Sequence, residues 1–222
     1  MASSQTAQPG RPGHEKAVAA AAAAQLLDSG MTVGLGTGST VAHLLEAIAA
    51  RGLSIVCVAT SMQTMHAARA LGIEVADFDD ITHLDITIDG TDQVDPAGWL
   101  VKGGGAAHTR EKVAAATADR FVVIADSTKV VPHLAPPVPL ELLGYGLAAT
   151  MRRIGDVRRR DVPASPDGGV IADYYGDVRD PGELAMRLSQ TAGVVEHGLF
   201  PPSMVSDVII ARGQDVEHRR LR

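Results

Sequence analysis

From Met31 to Ala125 short β-branched runs alternate with segments of helical period. Residues 31–35, 54–59, 73–76, 84–88, 99–101 and 121–125 read as strands. Between them, 41–50, 62–71 and 106–118 read as helices; Leu44, Leu45 and Ile48 mark the buried stripe of the first. Strands that alternate with helices imply an α/β fold whose mostly parallel sheet is covered on both faces. The pattern changes after Lys129. Pro132, Pro136, Pro137 and Pro139 break any regular helix, and the elements beyond them are shorter. Strands are expected at 157–160, 170–172 and 194–196, with a helix at 181–190. Residues 131–206 therefore read as a second, smaller α+β unit. A last strand, 207–211, returns to the main body, which comprises 14–130 and 207–222.

Upstream, an alanine-rich helix is expected over 15–28, ended by Gly30. Residues 1–13, with Pro9-Gly10 and Pro12-Gly13, read as a disordered tail. The apolar run 17–24 is too short for a membrane span. A net charge of −6 gives no basic field for nucleic acid or an anionic membrane, and aromatics are only 3% of the chain. An anionic substrate would need local positive groups. Cys57, alone of its kind, lies in an apolar run; no intramolecular disulfide is possible, which fits a reducing cytoplasm.

Four segments carry candidate chemistry. Gly34-Leu35-Gly36-Thr37-Gly38-Ser39-Thr40 follows a strand and opens a helix. Glycines admit an anion close to the backbone, and the helix start favours it. The dinucleotide fingerprint fails, because Ser39 fills its last glycine position; the P-loop pattern lacks its Gly-Lys-Ser/Thr. Alone, the segment fits an anion site and a capped turn equally. Asp89-Gly90-Thr91-Asp92 stands at a strand's carboxyl end, where open α/β sheets bind ligands. Its aspartates suit sugar hydroxyls, a metal or a local Asx turn. Lys102-Gly103-Gly104-Gly105 combines a cation with an oxyanion nest, and Glu111 is expected about two turns into the following helix, aimed back at the loop. A lysine, a nest and a carboxylate suit proton abstraction beside a carbonyl. Finally, Lys129 in Asp126-Ser127-Thr128-Lys129 stands where it reaches a phosphate at the same edge, or is a solvated lysine at a capped turn. The eight histidines show no metal-ligand spacing, and the Arg158-Arg159-Arg160 cluster reads as a solvated face.

In this order the four segments resemble the A-type ribose-5-phosphate isomerases, from about residue 15 to 211. The motifs are Gly36-Thr37-Gly38-Ser39-Thr40, Asp89-Gly90-Thr91-Asp92, Lys102 to Gly105 with Thr109-Arg110-Glu111-Lys112, and Ala125 to Lys129. Gly193-Val194-Val195 and Gly198-Leu199-Phe200 add to them. The resemblance implies a Rossmann-like domain with a small α+β domain, no metal or cofactor, and a homodimer or homotetramer. It implies that Glu111 is the general base, that Asp89 and Asp92 hold the sugar, and that Lys102 with Gly103, Gly104 and Gly105 stabilises an enediolate. Thr37, Gly38, Ser39, Thr40, Gly90, Thr91 and Lys129 match substrate-binding positions. The family's usual Asp-Gly-Ala-Asp-Glu is here altered at Thr91 and Gln93, and Glu15-Lys16 offers one lysine where a pair is common. A non-catalytic sugar-phosphate sensor on the same fold is the alternative. Such regulators carry a DNA-binding domain, for which no room is expected before Glu15. CoA-transferase-like chemistry would want a longer chain or a partner subunit.

Overall fold

The structure is a computed structural model that describes residues 12–222. Most of the expected tail lies outside the described residues; Pro12 and Gly13 open the first helix. The chain runs α1 (Pro12–Ala24), β1 (Thr32–Leu35), α2 (Ser39–Arg51), β2 (Val56–Ala59), α3 (Met62–Ala70), β3 (Glu74–Val75) and β4 (Leu84–Gly90). The short β5 (Gln93–Val94) and β6 (Leu100–Val101) precede α4 (His108–Thr117) and β7 (Ala118–Asp126). Next come β8 (Val138–Leu142), α5 (Leu147–Ile154), β9 (Val157–Arg159), β10 (Val170–Tyr174), α6 (Pro181–Ser189) and β11 (Val194–His197). β12 (Leu199–Phe200), β13 (Asp207–Arg212) and β14 (Asp215–Arg220) end the chain.

The main sheet has the order β14-β13-β7-β4-β1-β2-β3. It is parallel except for the β13–β14 hairpin at one edge. Alternate residues of one strand feed opposite faces. On β7, Val122 and Ile124 pack beneath α1 and α2, while Phe121, Val123 and Ala125 join Phe200, Leu100 and Ile210 on the other side. Burial on both faces is why these strands read as continuous apolar runs. The alanines of α1 (Ala19, Ala20, Ala23 and Ala24) are fully buried; their small side chains bring the helix close to its neighbours. A second sheet, β11-β8-β10-β9, is antiparallel and packs with α5 and α6 around Leu140, Leu142, Tyr174, Leu184 and Leu188. A three-stranded ribbon, β12-β6-β5, carries the chain from this sheet back beneath the site.

Three expectations need correction. The first helix ends at Ala24, not 28. Arg51 explains the stop: its guanidinium donates to the carbonyls of Ala24 and, at 2.8 Å, Leu27, so the last turn loosens into short-range bonds. The proline-rich stretch contains β8, which takes Pro139 as its second residue. α5 and β14 are elements that the sequence reading lacks. In β14 only alternate residues are even half-buried, so an edge strand reads as polar sequence.

Candidate active site

Strand progression runs from β1 through β2 to β3 on one side and from β4 through β7 to β13 on the other. The crevice at this reversal is the usual ligand site of an open α/β sheet, and the sequence motifs converge there. Gly36 follows β1, with its N–H bonded to the Ile88 carbonyl. A Cβ at Gly36 would stand 1.8 Å from the Asp89 carboxylate, so only glycine admits Asp89 into the sheet edge.

Asp89 is fully buried. One of its oxygens accepts from the N–H groups of Thr37 at 3.2 Å and Gly90 at 2.7 Å; the other accepts from Lys102 Nζ at 2.8 Å. The same ammonium donates to the Gly90 carbonyl at 2.7 Å and pairs with Glu111 Oε2 at 3.0 Å. Lys102 and Glu111 are buried as well. Two carboxylates thus share one cation away from water. Burial, followed by repulsion from Asp89, raises Glu111 to about 7, against the attraction of Lys102. Burial alone would lower Lys102, but Asp89 and Glu111 outweigh it and hold the ammonium above the ordinary lysine value.

Glu111 lies in the first turn of α4, not two turns in. Its neighbours hold that turn against the second sheet and the adjoining segments. Thr109 donates to the buried Glu141 of β8, and Arg110 forms a two-point bridge to Asp167 at 2.7 and 2.8 Å. Lys112 donates to Glu196 at 2.7 Å and to the His197 carbonyl at 2.6 Å. Gly198, next to His197, holds the backbone of Lys102. Its carbonyl accepts the Lys102 N–H at 2.8 Å, and a Cβ there would stand 2.1 Å from the Lys102 carbonyl.

The cleft above this cluster is lined by Thr37, Gly38, Ser39, Thr40, Gly90, Thr91, Asp92, Lys102, Gly103, Gly104, Gly105, Glu111 and Lys129. Asp89, expected to touch the sugar, does not line it; its carboxylate is fully engaged by Lys102 and two backbone N–H groups. Thr91 points its hydroxyl at the Gln93 and Val101 carbonyls, and Gln93 clasps Ala135 through both ends of its amide. Both departures from the family pattern therefore serve backbone contacts.

One lining residue is not placed by the sequence. Lys16 Nζ donates to Ser39 Oγ at 2.9 Å, at the start of α2. Glu15 puts it there. This buried carboxylate accepts from Ser127 N and Oγ at 2.9 and 2.6 Å and from Gly213 N at 2.8 Å, which ties α1 to the turn that carries Lys129. Two lysines, two hydroxyls and a helix start thus line the same cleft. Among the described residues no group of three or more His, Cys, Asp and Glu is placed to hold a metal ion. No helix among them is long and apolar enough to cross a membrane.

Fold and cleft together define a Rossmann-like α/β protein with a buried lysine–carboxylate cluster at its switch point and further lysines and hydroxyls lining the cleft above it. Residues 56–215 match the family model of ribose 5-phosphate isomerase A (phosphoriboisomerase A), and the chain belongs to that family. The ribose-5-phosphate isomerase A of Bradyrhizobium diazoefficiens is 40% identical, over 90% of this chain and 93% of the relative. That of Thermosynechococcus vestitus is 43% identical, over 88% and 89%. Among solved structures, ribose 5-phosphate isomerase A from Neisseria gonorrhoeae superposes with a TM-score of 0.91 at 27% identity, covering 97% of this chain and all 100% of its own. A D-ribose-5-phosphate isomerase in complex with phospho-erythronic acid superposes at 0.88 with 31% identity, covering 95% and 99%.

Proposed function

We propose that this chain interconverts D-ribose 5-phosphate and D-ribulose 5-phosphate through an enediolate, and that the Lys102–Glu111 pair at the floor of the cleft carries the chemistry. Glu111 takes the C2 proton of the open-chain aldose and returns it to C1, while O2 gives up its proton and O1 gains one across the enediolate. Burial and the Asp89 carboxylate raise this base toward neutrality, which suits it to both steps. Lys102, with the backbone of Gly103 to Gly105, meets the developing oxyanion. Asp89 acts through Lys102, which it orients, and Asp92 faces the sugar. Lys16, Lys129, Ser39 and Thr40 take the phosphate. The relative bound to phospho-erythronic acid, a phosphorylated four-carbon acid, supports this reading of the cleft. A sensor on the same fold would have no use for a carboxylate raised to about 7 beside a buried lysine. Residues 14–130 with 207–222 form the catalytic domain and 131–206 the smaller one. The protein works in the cytoplasm as a homodimer or homotetramer on a small sugar phosphate, with neither nucleic acid nor membrane as partner. The test is direct: purified protein incubated with ribose 5-phosphate should yield the ketose, and binding without turnover would favour the sensor.

Two results are expected from the electrostatics. Since the overall charge is −6, phosphate recognition must be local. Lys129→Ala and Lys16→Ala should each raise KM for ribose 5-phosphate about 10–100-fold, the worth of roughly 1.5–3 kcal/mol for a hydrogen bond to a charged group. Turnover of unphosphorylated ribose should not change; an equal effect on both substrates would remove that lysine from the phosphate site. Secondly, only ionised Glu111 can accept a proton. kcat/KM should therefore rise with pH through a midpoint near 7. The substrate phosphate titrates lower, at about 6. A profile flat down to pH 5 would contradict a base raised by burial.

A further inference from the structure

We infer that Arg160, locked by Asp173, is a positioning residue that sets the orientation of the Gly103–Gly105 backbone toward the substrate. The inference rests on the isomerase reading. Arg160 belongs to the basic cluster that reads from sequence as a solvated face, yet it is half-buried, just past the edge strand β9. Arg158 and Arg159 beside it do stay exposed. The Arg160 guanidinium forms a two-point bridge to Asp173 of β10, with Nε and one terminal nitrogen each 2.6 Å from a carboxylate oxygen. The other terminal nitrogen donates to the Gly103 carbonyl at 2.9 Å and the Gly104 carbonyl at 3.2 Å. One rigid fork thus joins the second sheet to two successive peptide units of the loop.

Peptide geometry gives the arrangement its consequence. In a trans peptide the C=O and the next N–H point in opposite directions. The Gly103 carbonyl accepts from Arg160 and, at 3.0 Å, from the Ala106 N–H, and the Gly104 N–H points the other way, where it meets Asp92 Oδ2 at 2.7 Å. Holding the Gly104 carbonyl likewise turns the Gly105 N–H away from Arg160. That N–H has no protein acceptor among the described residues, and Gly105 lines the cleft. A substrate oxygen can take it. The Ala106 N–H and Asp92 also tie the peptide between Gly103 and Gly104, so the tie that Arg160 alone supplies is the one to the Gly104 carbonyl, which aims the Gly105 N–H. An oxyanion donor helps only when it is aimed before the reaction begins. On the far side His108 and Pro139 wedge Gly103, so the loop is held from both flanks. Lysine keeps the charge of Arg160 but not the planar fork, and cannot satisfy carboxylate and carbonyls together.

The test uses Arg160→Lys, Asp173→Asn and the double variant, assayed on ribose 5-phosphate beside the parent protein. An inactive parent would refute the isomerase reading itself. With an active parent, each single variant should lose roughly 10–100-fold in kcat, the cost of about 1 Å of misplacement in a catalytic group, while KM changes less than threefold. The double variant should be no worse than the poorer single one, because both act through one fork. Affinity for phospho-erythronate should fall along with kcat. Folded variants that keep parental kcat and lose only melting temperature would overturn the inference. So would additive losses in the double variant, or failure of both single variants to fold, since Arg160 would then be a structural tie alone.

Discussion

Glu111→Gln should leave a folded protein that binds ribose 5-phosphate and turns it over at least 10²–10⁴-fold more slowly, the usual cost of losing a general base. That is about 3–5 kcal/mol of barrier. Glutamine has nearly the shape of glutamate and keeps an oxygen toward Lys102, but it cannot take a proton. The loss falls on the transition state, so KM should move little. Stability should behave in the opposite sense. Burial raises Glu111 to about 7, well above its ordinary value, so ionising it in the folded protein is unfavourable. Its contribution to stability is fully present below the unfolded pKa and is lost as pH rises through about 7. Glutamine carries no such penalty. At pH 8 the variant should melt at or above the parental temperature while nearly inactive. Steady-state kinetics and thermal melts at pH 6 and 8 decide both halves. A folded variant with near-parental kcat would end the proposed mechanism.

Much of this site is legible in sequence because of where its residues sit. The main strands are buried on both faces, so they appear as apolar runs, and each motif stands at a run's carboxyl end. Gly36-Thr37-Gly38, Asp89-Gly90 and Asp126 to Lys129 can therefore be placed at one edge without knowledge of any contact, whereas Lys102-Gly103 follows β6 of the separate ribbon and is brought there by the tertiary fold. The hidden part depends on tertiary distance. Lys16 reaches Ser39 from a helix whose Glu15 is tied to Ser127 and Gly213, both far along the chain from it. No local pattern distinguishes that lysine from a solvated one. Arg160 differs from Arg158 and Arg159 only in lying just past the end of β9, beside the glycine loop. The residues alone leave Asp89 open between a sugar, a metal and a local turn, and the family resemblance implies that it holds the sugar. Here Gly36 lets it sink into the sheet edge, where Lys102 and backbone N–H groups use it instead. β8 is masked by its prolines, although a proline near a strand's start sacrifices little of the ladder.

Replacing Lys102 should do the most damage, to activity and stability together. Its ammonium holds Asp89 at 2.8 Å and Glu111 at 3.0 Å, both buried. Lys102→Met keeps the approximate length and removes the charge. Two carboxylates are then left in a dry site with no cation, the kind of loss that costs about 3–5 kcal/mol when one partner of a buried pair is deleted. Activity should fall by at least about 10²–10³, the worth of an electrophile at the oxyanion. Without Lys102 to oppose burial and Asp89, Glu111 also moves further up and is mostly protonated at neutral pH. Carboxylates whose folded pKa lies above the unfolded one stabilise the fold only in acid, and that support is lost as pH rises through the raised value. Lys102→Met should therefore melt higher at pH 5 than at pH 8, by a wider margin than the parent. Adding Asp89→Asn removes one stranded charge and should restore part of the stability at pH 8, but none of the turnover. Urea titrations of the parent, the single and the double variant at both pH values measure each contribution. A Lys102→Met protein as stable as the parent at pH 8 would mean that water reaches the carboxylates. The raised value of Glu111, and with it the account of the base, would then be wrong.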